Sequence, residues 1–194
     1  MASPAKRVTS RNSSTDKRAA ILRAATRVFA SNGYFNSKVA DIARAADVAD
    51  GTVYLYFKSK EDILHSIFDQ NMAEAISAAR KLIKNASDPR EKLRRIASLH
   101  LERLGADRDL AVVFQVELRG STKFMKEFSA LGFSEYLGLL HDIFEEGQRA
   151  GVFRKDLNAT IGAKILFGAL DEMATNWIIS HRTYELAPMA DVVM

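Results

Sequence analysis

Few of the side chains that usually carry out catalysis are present in this sequence, and their spacing does not fit a catalytic or metal site. The 194 residues contain no cysteine, which excludes disulfides, Cys-ligated zinc, iron–sulfur clusters and thiol catalysis. The four histidines are His65, His100, His141 and His181, and no two of them lie three or four residues apart, as paired metal ligands on a helix would. No glycine-rich phosphate loop or nucleophile elbow occurs. We therefore expect neither an enzyme nor a metal site.

A different chemistry is indicated by the run VADGTVYLYFKSKEDIL, which begins at Val48. Alternation within VYLYF favours a strand, but a capped amphipathic helix and a short turn precede it, and the sequence offers no partner strand. We therefore predict a short helix over residues 49–57. Its Val53 and Phe57 share one face and would pack inward with Ile42, Ala43 and Val48. The remaining faces would carry Gly51, Thr52, Tyr54, Leu55 and Tyr56, the arrangement of a helix-turn-helix that enters the DNA major groove.

The distribution of charge supports a polyanionic partner for the first third of the chain. Residues 1–62 hold eleven Lys and Arg against six Asp and Glu, a net charge of +5, whereas the whole chain carries +4. All of the excess positive charge therefore lies beside the predicted helix-turn-helix, as expected of a module that binds nucleic acid.

Apolar spacing and helix caps predict an all-α chain of about nine helices. Residues 1–14 are rich in Ser, Arg and Lys and are predicted to be a disordered basic tail. Residues 15–62 are predicted to form a three-helix DNA-binding domain, and residues 63–194 a helical bundle. Thr15, Ser37 and Asp156 are predicted to cap the first, second and eighth helices. The later helices are predicted from Pro89 to near Gly105, Asp109 to Arg119, Ser121 to Ala150 with a bend or break at Gly132 or Gly138, Leu157 to about His181, and after Pro188.

Neither a signal peptide nor a membrane span is expected. The basic N-terminus is not followed by an apolar segment. The most apolar region, residues 159–179, contains Lys164, Asp171 and Glu172, which argue against a span. A cytoplasmic location is the expectation.

The stretch from Arg18 to Leu64 resembles the DNA-binding domain of TetR-family transcriptional repressors. The matching pieces are the helix exit at Gly33-Tyr34, the segment VADIA at residues 39–43, and GTVYLYFKSKE at residues 51–61. Asp47 departs from the family, which usually has glycine in this turn, but aspartate tolerates the left-handed conformation.

The resemblance implies a role for each matching residue. Ser37 and Lys38 would touch phosphates, and Asp50, Gly51 and Leu55 would approach bases. The backbone contacts, which position the protein, would come from Thr52, Tyr54, Tyr56 and Lys60. The resemblance also implies a homodimer, which would use residues from about 157 to 194 as its interface and read an inverted-repeat operator. The last helix predicted here, after Pro188, is short.

Similarity extends beyond the DNA-binding domain, to the FadR group of this family in bacilli and Thermus. It is carried by residues 49–58, by LAVV and QVELR within residues 110–119, and by FGALDE from Phe167 together with Trp177. It implies control of fatty-acid degradation genes and release of DNA when long-chain acyl-CoA binds, with no other cofactor. Such a ligand would shift the fourth helix and change the spacing of the recognition helices.

An acyl chain needs an apolar tunnel, and the phosphates of CoA need cations. Arg103, Arg119 and Arg149 are the candidate cations, although each could equally form an ordinary ion pair. The candidate lining residues are Phe114, Leu118, Leu137, Leu140, Phe144, Leu166, Phe167, Leu170, Met173 and Trp177. For Glu117, Asp171 and Glu172 we expect structural pairing with Arg119 or Asn176, because buried carboxylates need partners.

Three other classes of protein remain open at this point. A multidrug sensor of the same family would bind aromatic cations with buried acids, and Glu117, Asp171 and Glu172 are compatible with it. A ligand-free DNA-binding protein would have a filled bundle core, which composition does not distinguish from a ligand cavity. A helical enzyme is the third class, and absence of acyl-CoA turnover would exclude it.

Overall fold

A computed structural model describes residues 8–120, 123–124, 126, 132–180 and 184–194, with side chains from Thr15 onward. These residues form nine α-helices and no strand, as predicted. The helices are α1 (Val8–Asn32), α2 (Val39–Ala45), α3 (Asp50–Tyr54), α4 (Lys60–Ile83), α5 (Pro89–Ala106), α6 (Arg108–Val112), α7 (Gly132–Arg149), α8 (Ala159–Ile179) and α9 (Met189–Val193). A π-helical turn, Val113–Glu117, continues α6. None of the described helices is both long and apolar enough to cross a membrane.

The chain divides into two compact units, Met1–Ile67 and Phe68–Met194, which we call the N-terminal and C-terminal units. The division falls within α4, five residues after the boundary predicted from sequence. The boundary lies inside a continuous helix because the first turns of α4 belong to the N-terminal unit and its later turns to the C-terminal unit.

The N-terminal unit is built on apolar residues at helical spacing. Ile21 and Phe29 of α1, Ile42 of α2 and Val53 of α3 are fully buried, and Phe57 is nearly so. The predicted inward face of the helix-turn-helix is therefore confirmed for Ile42, Ala43, Val53 and Phe57, whereas Val48 is half-buried. Its turn is closed by a hydrogen bond of 3.0 Å from the Val48 N–H to the Ala43 carbonyl, and Asp47 there has φ 54°, the left-handed conformation expected of it.

Several predicted helix boundaries were wrong. The first helix begins at Val8 rather than Thr15, because the sequence has no proline or glycine between Pro4 and Gly33 to interrupt it. Residues 8–14 of the predicted tail are therefore helical, and residues 1–7 lie outside the described part of the chain. The cap of α8 is Asn158, whose side chain accepts from the Ile161 N–H at 3.2 Å, whereas Asp156 pairs with Arg154. Helix α7 runs unbroken from Gly132, and the predicted start at Ser121 lies outside the described residues.

In the C-terminal unit, α5, α7 and α8 enclose the core. Buried side chains of Leu101, Leu140 and Leu170, one from each helix, are fully excluded from solvent. The opposite face of α8 is apolar but exposed at Ile161, Ile165 and Ile179. As predicted, α8 carries apolar side chains on more than one side. Within the described chain, one of these sides is covered by other helices.

Candidate DNA-binding surface and effector cavity

Helix α3 buries one face and presents large apolar and aromatic side chains on the other. Leu55, which directly follows α3, is 81% exposed and Tyr54 is 57% exposed, while Val53, the residue before Tyr54, is fully buried. Asp50 and Gly51 are also exposed. A leucine exposed to this degree beside polar and basic groups has no internal packing function, but it can contact thymine methyl groups in a major groove.

Gly51 has no structural reason to be glycine. A Cβ built at this position would meet nothing within 4 Å, and its φ is not positive. Glycine within a helix costs about 0.5–1 kcal/mol relative to alanine. The residue is therefore explained best by the close approach of something outside the unit, as the sequence resemblance implies.

The structure places the other predicted DNA contacts unevenly. Lys38 is exposed at the start of α2, where its backbone N–H donates to Asp41 Oδ2 at 3.1 Å, and Thr52 and Tyr56 are half-buried. Ser37 is buried, and its hydroxyl donates to the Gly33 carbonyl at 2.7 Å. The prediction that Ser37 caps α2 is therefore wrong, and Lys38 is the N-cap residue. The phosphate contact of Ser37 stays a prediction, but its hydroxyl faces inward and is already used.

Lys60 also has a different role from the predicted backbone grip. Its ammonium group donates to the carbonyl oxygens of Tyr34 (2.7 Å), Ser37 (2.8 Å) and Phe35 (3.3 Å), and lies 4.4 Å from the centre of the Tyr34 ring. Partial burial lowers the pKa of Lys60. All three ammonium hydrogens are engaged, so Lys60 holds the loop between α1 and α2 and is not directed towards a phosphate.

We expect Lys60→Met to lower the free energy of unfolding by about 1–2 kcal/mol, since three carbonyls lose a charged donor but can regain water. Chemical denaturation measures this, and amide hydrogen exchange over residues 34–37 should accelerate. Lys58→Met removes the same charge from an exposed position and serves as the control, with an expected change within about 0.5 kcal/mol. Equal stability of the two variants would contradict the assigned role of Lys60.

The C-terminal unit encloses a cavity of about 180 Å³ between α4, α5, the α6 and π-helical segment, α7 and α8. A cavity of about 150 Å³ holds a benzene molecule, so this volume corresponds to about seven methylene-sized groups. Its walls are mostly apolar, and the lining residues are Phe68, Asn71, Met72, Ile96, Leu99, His100, Arg103, Leu104, Leu110, Phe114, Gln115, Leu118, Arg119, Phe133, Tyr136, Phe167 and Asp171.

Five of the thirteen predicted ligand-binding residues line this cavity, and the other eight do not. The five are Arg103, Phe114, Leu118, Arg119 and Phe167. Leu140, Leu166 and Leu170 are packed in the core instead, and Leu137 and Met173 are half-buried away from the cavity. Phe144 packs against Phe153, Trp177 donates its Nε1–H to the Tyr184 carbonyl, and Arg149 lies at the surface near the Glu145 carbonyl.

The α4 wall of the cavity and the α5 residues other than Arg103 were not predicted from sequence. Phe68 and Met72 belong to the apolar stripe of α4, and Leu99 and His100 to α5. Apolar residues that line a cavity have the same helical spacing as residues that fill a core, so spacing alone could not separate them. The π-helical turn also marks this region, because such turns occur often at functional sites. Its position could not be predicted from the sequence.

Most polar groups of the cavity wall satisfy one another. Asp171 forms an ion pair with Arg119 and accepts from Gln115 Nε2 at 2.6 Å, and Thr175 donates to Gln115 Oε1 at 3.1 Å. Arg103 pairs with Glu74 at 3.2 Å. The expected pairing of the α8 carboxylates is confirmed, since Asp171 contacts Arg119 and Glu172 accepts from Asn176 at 2.6 Å.

His100 is the polar group whose environment is incomplete. Its Nδ1 lies 3.2 Å from the Tyr136 hydroxyl, and its ring lies edge-to-face against Phe167 with centroids 5.9 Å apart. Its Nε2 is buried and has no hydrogen-bond partner among the described residues. Burial lowers the pKa of His100 to about 4, so the imidazole is neutral at physiological pH, and burial likewise raises the pKa of Tyr136.

This buried histidine should make the fold sensitive to acid. The folded-state pKa of about 4 lies below the ordinary value of 6.5, so the unfolded chain binds the proton first and stability falls as the pH drops from 6.5 towards 4. From pH 7 to pH 5 we expect His100 to account for a loss of about 2 kcal/mol that His100→Gln does not show. Denaturation midpoints at both pH values measure the difference. The control His141→Gln should keep the wild-type acid sensitivity, and an unchanged pH profile in His100→Gln would contradict the prediction.

Comparison with known proteins agrees with this architecture. Residues 21–67 match the family model of bacterial regulatory proteins of the tetR family, and residues 68–194 match that of the C-terminal region of YsiA-like proteins. The chain is 38% identical over 174 residues to the fatty acid metabolism regulator protein of Bacillus subtilis, covering 90% of each protein. The fold resembles that of the fatty acid degradation regulator FadR from Bacillus halodurans, with 38% identity and a TM-score of 0.87, covering 91% of this chain and 92% of that one.

A second solved structure bears on the cavity. The transcriptional regulator FadR from Bacillus subtilis in complex with stearoyl-CoA has a TM-score of 0.86 and 37% identity, covering 90% of this chain and 94% of that one. The two family models together match nearly the whole helical part of the chain. The chain therefore belongs to the TetR family and is a transcriptional regulator close to the FadR regulators of bacilli.

Proposed function

We propose that this regulator is a repressor that binds a palindromic operator as a dimer and is released by long-chain acyl-CoA, and that it controls genes of fatty-acid degradation. The observation that carries the proposal is the apolar cavity of the C-terminal unit, because a regulator with a filled bundle would have no place for an acyl chain. The stearoyl-CoA bound by the relative from Bacillus subtilis supports the same ligand class.

DNA binding rests on the exposed surface around α3. Tyr54 and Leu55 project from a unit whose predicted contact residues include Lys38 and which carries the excess positive charge of the chain. Phosphate contacts would come from Lys38, Thr52, Tyr54 and Tyr56, and base contacts from Asp50, Gly51 and Leu55. Affinity for the operator should therefore fall steeply as salt rises, because each neutralised phosphate releases counterions.

Effector binding rests on the character of the cavity wall. Phe68, Phe114, Phe133 and Phe167 supply an apolar surface for an alkyl chain. Arg103 and Arg119 belong to the same wall and have side chains 30% and 43% exposed, so they are placed where an anionic head group could reach them. Arg149 does not line the cavity and has no part in this proposal.

Release requires acyl-CoA to favour a conformation that does not fit the operator. Helix α4 is the element suited to couple the two events, because Lys60 near its start fixes the α1–α2 loop while Phe68 and Met72 line the cavity. A small displacement of α4 would alter the distance between two recognition helices, which must match half-sites about 34–36 Å apart or a related helical spacing.

The dimer rests on the exposed face of α8. Ile161, Ile165 and Ile179 lie at helical spacing with Gly168 between them, where a built Cβ would meet nothing within 4 Å. An apolar helix face with a flat centre suits packing against the same helix of a second copy, and twofold symmetry is what a palindromic operator demands.

Electrophoretic mobility shift with a palindromic operator fragment, selected from genomic DNA, tests the function. We expect a dimer on the fragment, weaker binding at higher salt, and release by C12–C18 acyl-CoA. Affinity equal to that for random DNA would contradict operator recognition. Specific binding that no acyl-CoA weakens would contradict the effector assignment and leave operator recognition standing.

An effector of the aromatic-cation class fits the cavity less well. Such ligands need an acidic group free to face them within an aromatic pocket. Asp171 is the carboxylate of the cavity wall, and it is already bound to Arg119 and Gln115. A titration with an aromatic cation that does not intercalate into DNA, such as tetraphenylphosphonium, should accordingly leave operator binding unchanged.

A further inference from the structure

One polar atom in the cavity wall is left without a partner, and it points to a specific contact with the ligand. Arg119, Asp171 and Gln115 form a closed group, and Arg103 is paired with Glu74. His100 Nε2 is buried with no hydrogen bond within the described residues. Leaving a buried polar atom unpaired is costly, so such an atom in a ligand cavity indicates a partner supplied by the ligand.

The neighbouring contact determines whether His100 Nε2 donates or accepts. The Tyr136 hydroxyl lies 3.2 Å from Nδ1. A phenol is a more acidic donor than a neutral imidazole N–H, and an imidazole nitrogen is a more basic acceptor than a phenol oxygen. Tyr136 therefore donates to Nδ1, which places the imidazole hydrogen on Nε2 and makes this buried atom of a cavity-lining residue a donor.

The position of His100 along the cavity indicates which part of the ligand it meets. Arg103 lies one turn further along α5 on the same face, and its partly exposed side chain marks the polar end of the cavity. Leu99, Phe133 and Phe167 surround the remaining space with apolar groups. His100 thus lies where an apolar chain would give way to its polar head.

We infer that His100 Nε2–H donates a hydrogen bond to the carbonyl oxygen at the head of the acyl chain and so makes the cavity selective for acyl thioesters. The inference rests on the proposed acyl-CoA function and identifies His100 as the residue that binds the thioester carbonyl. Tyr136 is a positioning residue that fixes the imidazole tautomer. A neutral donor suits a neutral thioester carbonyl. A free fatty acid also lacks the CoA phosphates that Arg103 and Arg119 are placed to bind.

Calorimetric titration of the full chain with three probes tests the inference. The probes are palmitoyl-CoA, S-hexadecyl-CoA, which has a methylene in place of the carbonyl, and palmitate. We expect palmitoyl-CoA to bind roughly 5- to 30-fold more tightly than S-hexadecyl-CoA, the range of one hydrogen bond to a buried group. Palmitate should bind more weakly than palmitoyl-CoA, and equal or tighter binding of palmitate would overturn thioester selectivity.

Variants test whether the ratio of the affinities for palmitoyl-CoA and S-hexadecyl-CoA depends on His100. In His100→Leu the affinities for palmitoyl-CoA and S-hexadecyl-CoA should become equal, and in His100→Gln part of the ratio should return because the amide can donate from a similar position. Tyr136→Phe should reduce the ratio by a smaller factor, and His141→Leu, outside the cavity wall, should leave it unchanged. Equal affinities in the wild-type chain, or an unchanged ratio in His100→Leu and His100→Gln, would overturn the inference while leaving acyl-CoA binding intact. Failure of both CoA probes to bind would overturn the proposed function and this inference together.

Discussion

Replacing Arg119 with methionine is expected to lower the free energy of unfolding by about 3 kcal/mol, because it leaves the buried carboxylate of Asp171 without its cation. The Asp171 side chain is 9% exposed and that of Arg119 is 43% exposed. The two partners are therefore not equivalent. Arg119 can return to water when it loses its partner, whereas among the described residues Asp171 would retain the side-chain amide of Gln115.

The opposite substitution should cost much less. Asp171→Leu removes the buried charge itself and leaves Gln115 short of one acceptor, for an expected loss of about 1 kcal/mol. The double variant should resemble Asp171→Leu rather than the sum of the two single variants. Urea denaturation of all three variants measures the cycle.

A surface pair provides the matched control. Arg95 lies 2.7 Å from Glu91, which also contacts Arg94, so Arg95→Met leaves a carboxylate that is 30% exposed and still has a partner. Its effect should be clearly smaller than that of Arg119→Met. Equal effects of Arg119→Met and Asp171→Leu, or additivity in the double variant, would contradict the account of a buried charge held by an exposed one.

The helix-turn-helix was predictable from sequence because its core obeys simple spacing. Val53 and Phe57 stand four residues apart, and both are buried as predicted. The inward direction of Ser37 and the carbonyl contacts of Lys60 were not predictable, because they depend on where the loop after Gly33 brings its carbonyl groups. That arrangement is tertiary and leaves no periodic signal.

An apolar ligand cavity in the helical bundle was predicted, but most of the residues that line it were not. Leu166 and Leu170 on α8 were expected to line it and are packed in the core, whereas Leu99 and His100 on α5 line it. A leucine on a cavity wall and a leucine in a packed core contribute the same hydrophobic stripe. What separates them is the local geometry of the facing helices, including the π-helical turn that carries Phe114 and Gln115.

Filling the cavity should separate DNA binding from effector response. Leu99 lines the cavity and is only partly buried, so tryptophan at this position can occupy the empty space instead of displacing packed neighbours. If the added ring excludes about three methylene groups of the ligand, each worth about 0.8 kcal/mol, acyl-CoA affinity falls roughly 50-fold. We therefore expect Leu99→Trp to bind the operator normally and to require about 50-fold more palmitoyl-CoA for release.

A tryptophan elsewhere in the same unit distinguishes cavity filling from general perturbation. Leu139 on α7 is also partly buried against the core but does not line the cavity, so Leu139→Trp should respond to palmitoyl-CoA as the wild-type chain does. Mobility shift at increasing effector concentration measures both variants. An unaltered response in Leu99→Trp would place the effector outside this cavity. Loss of response in Leu99→Trp with operator affinity preserved would instead mean that only bound ligand, and not a filled cavity, weakens DNA binding. A side chain that fills the space does not reproduce the ligand's preference for the released state.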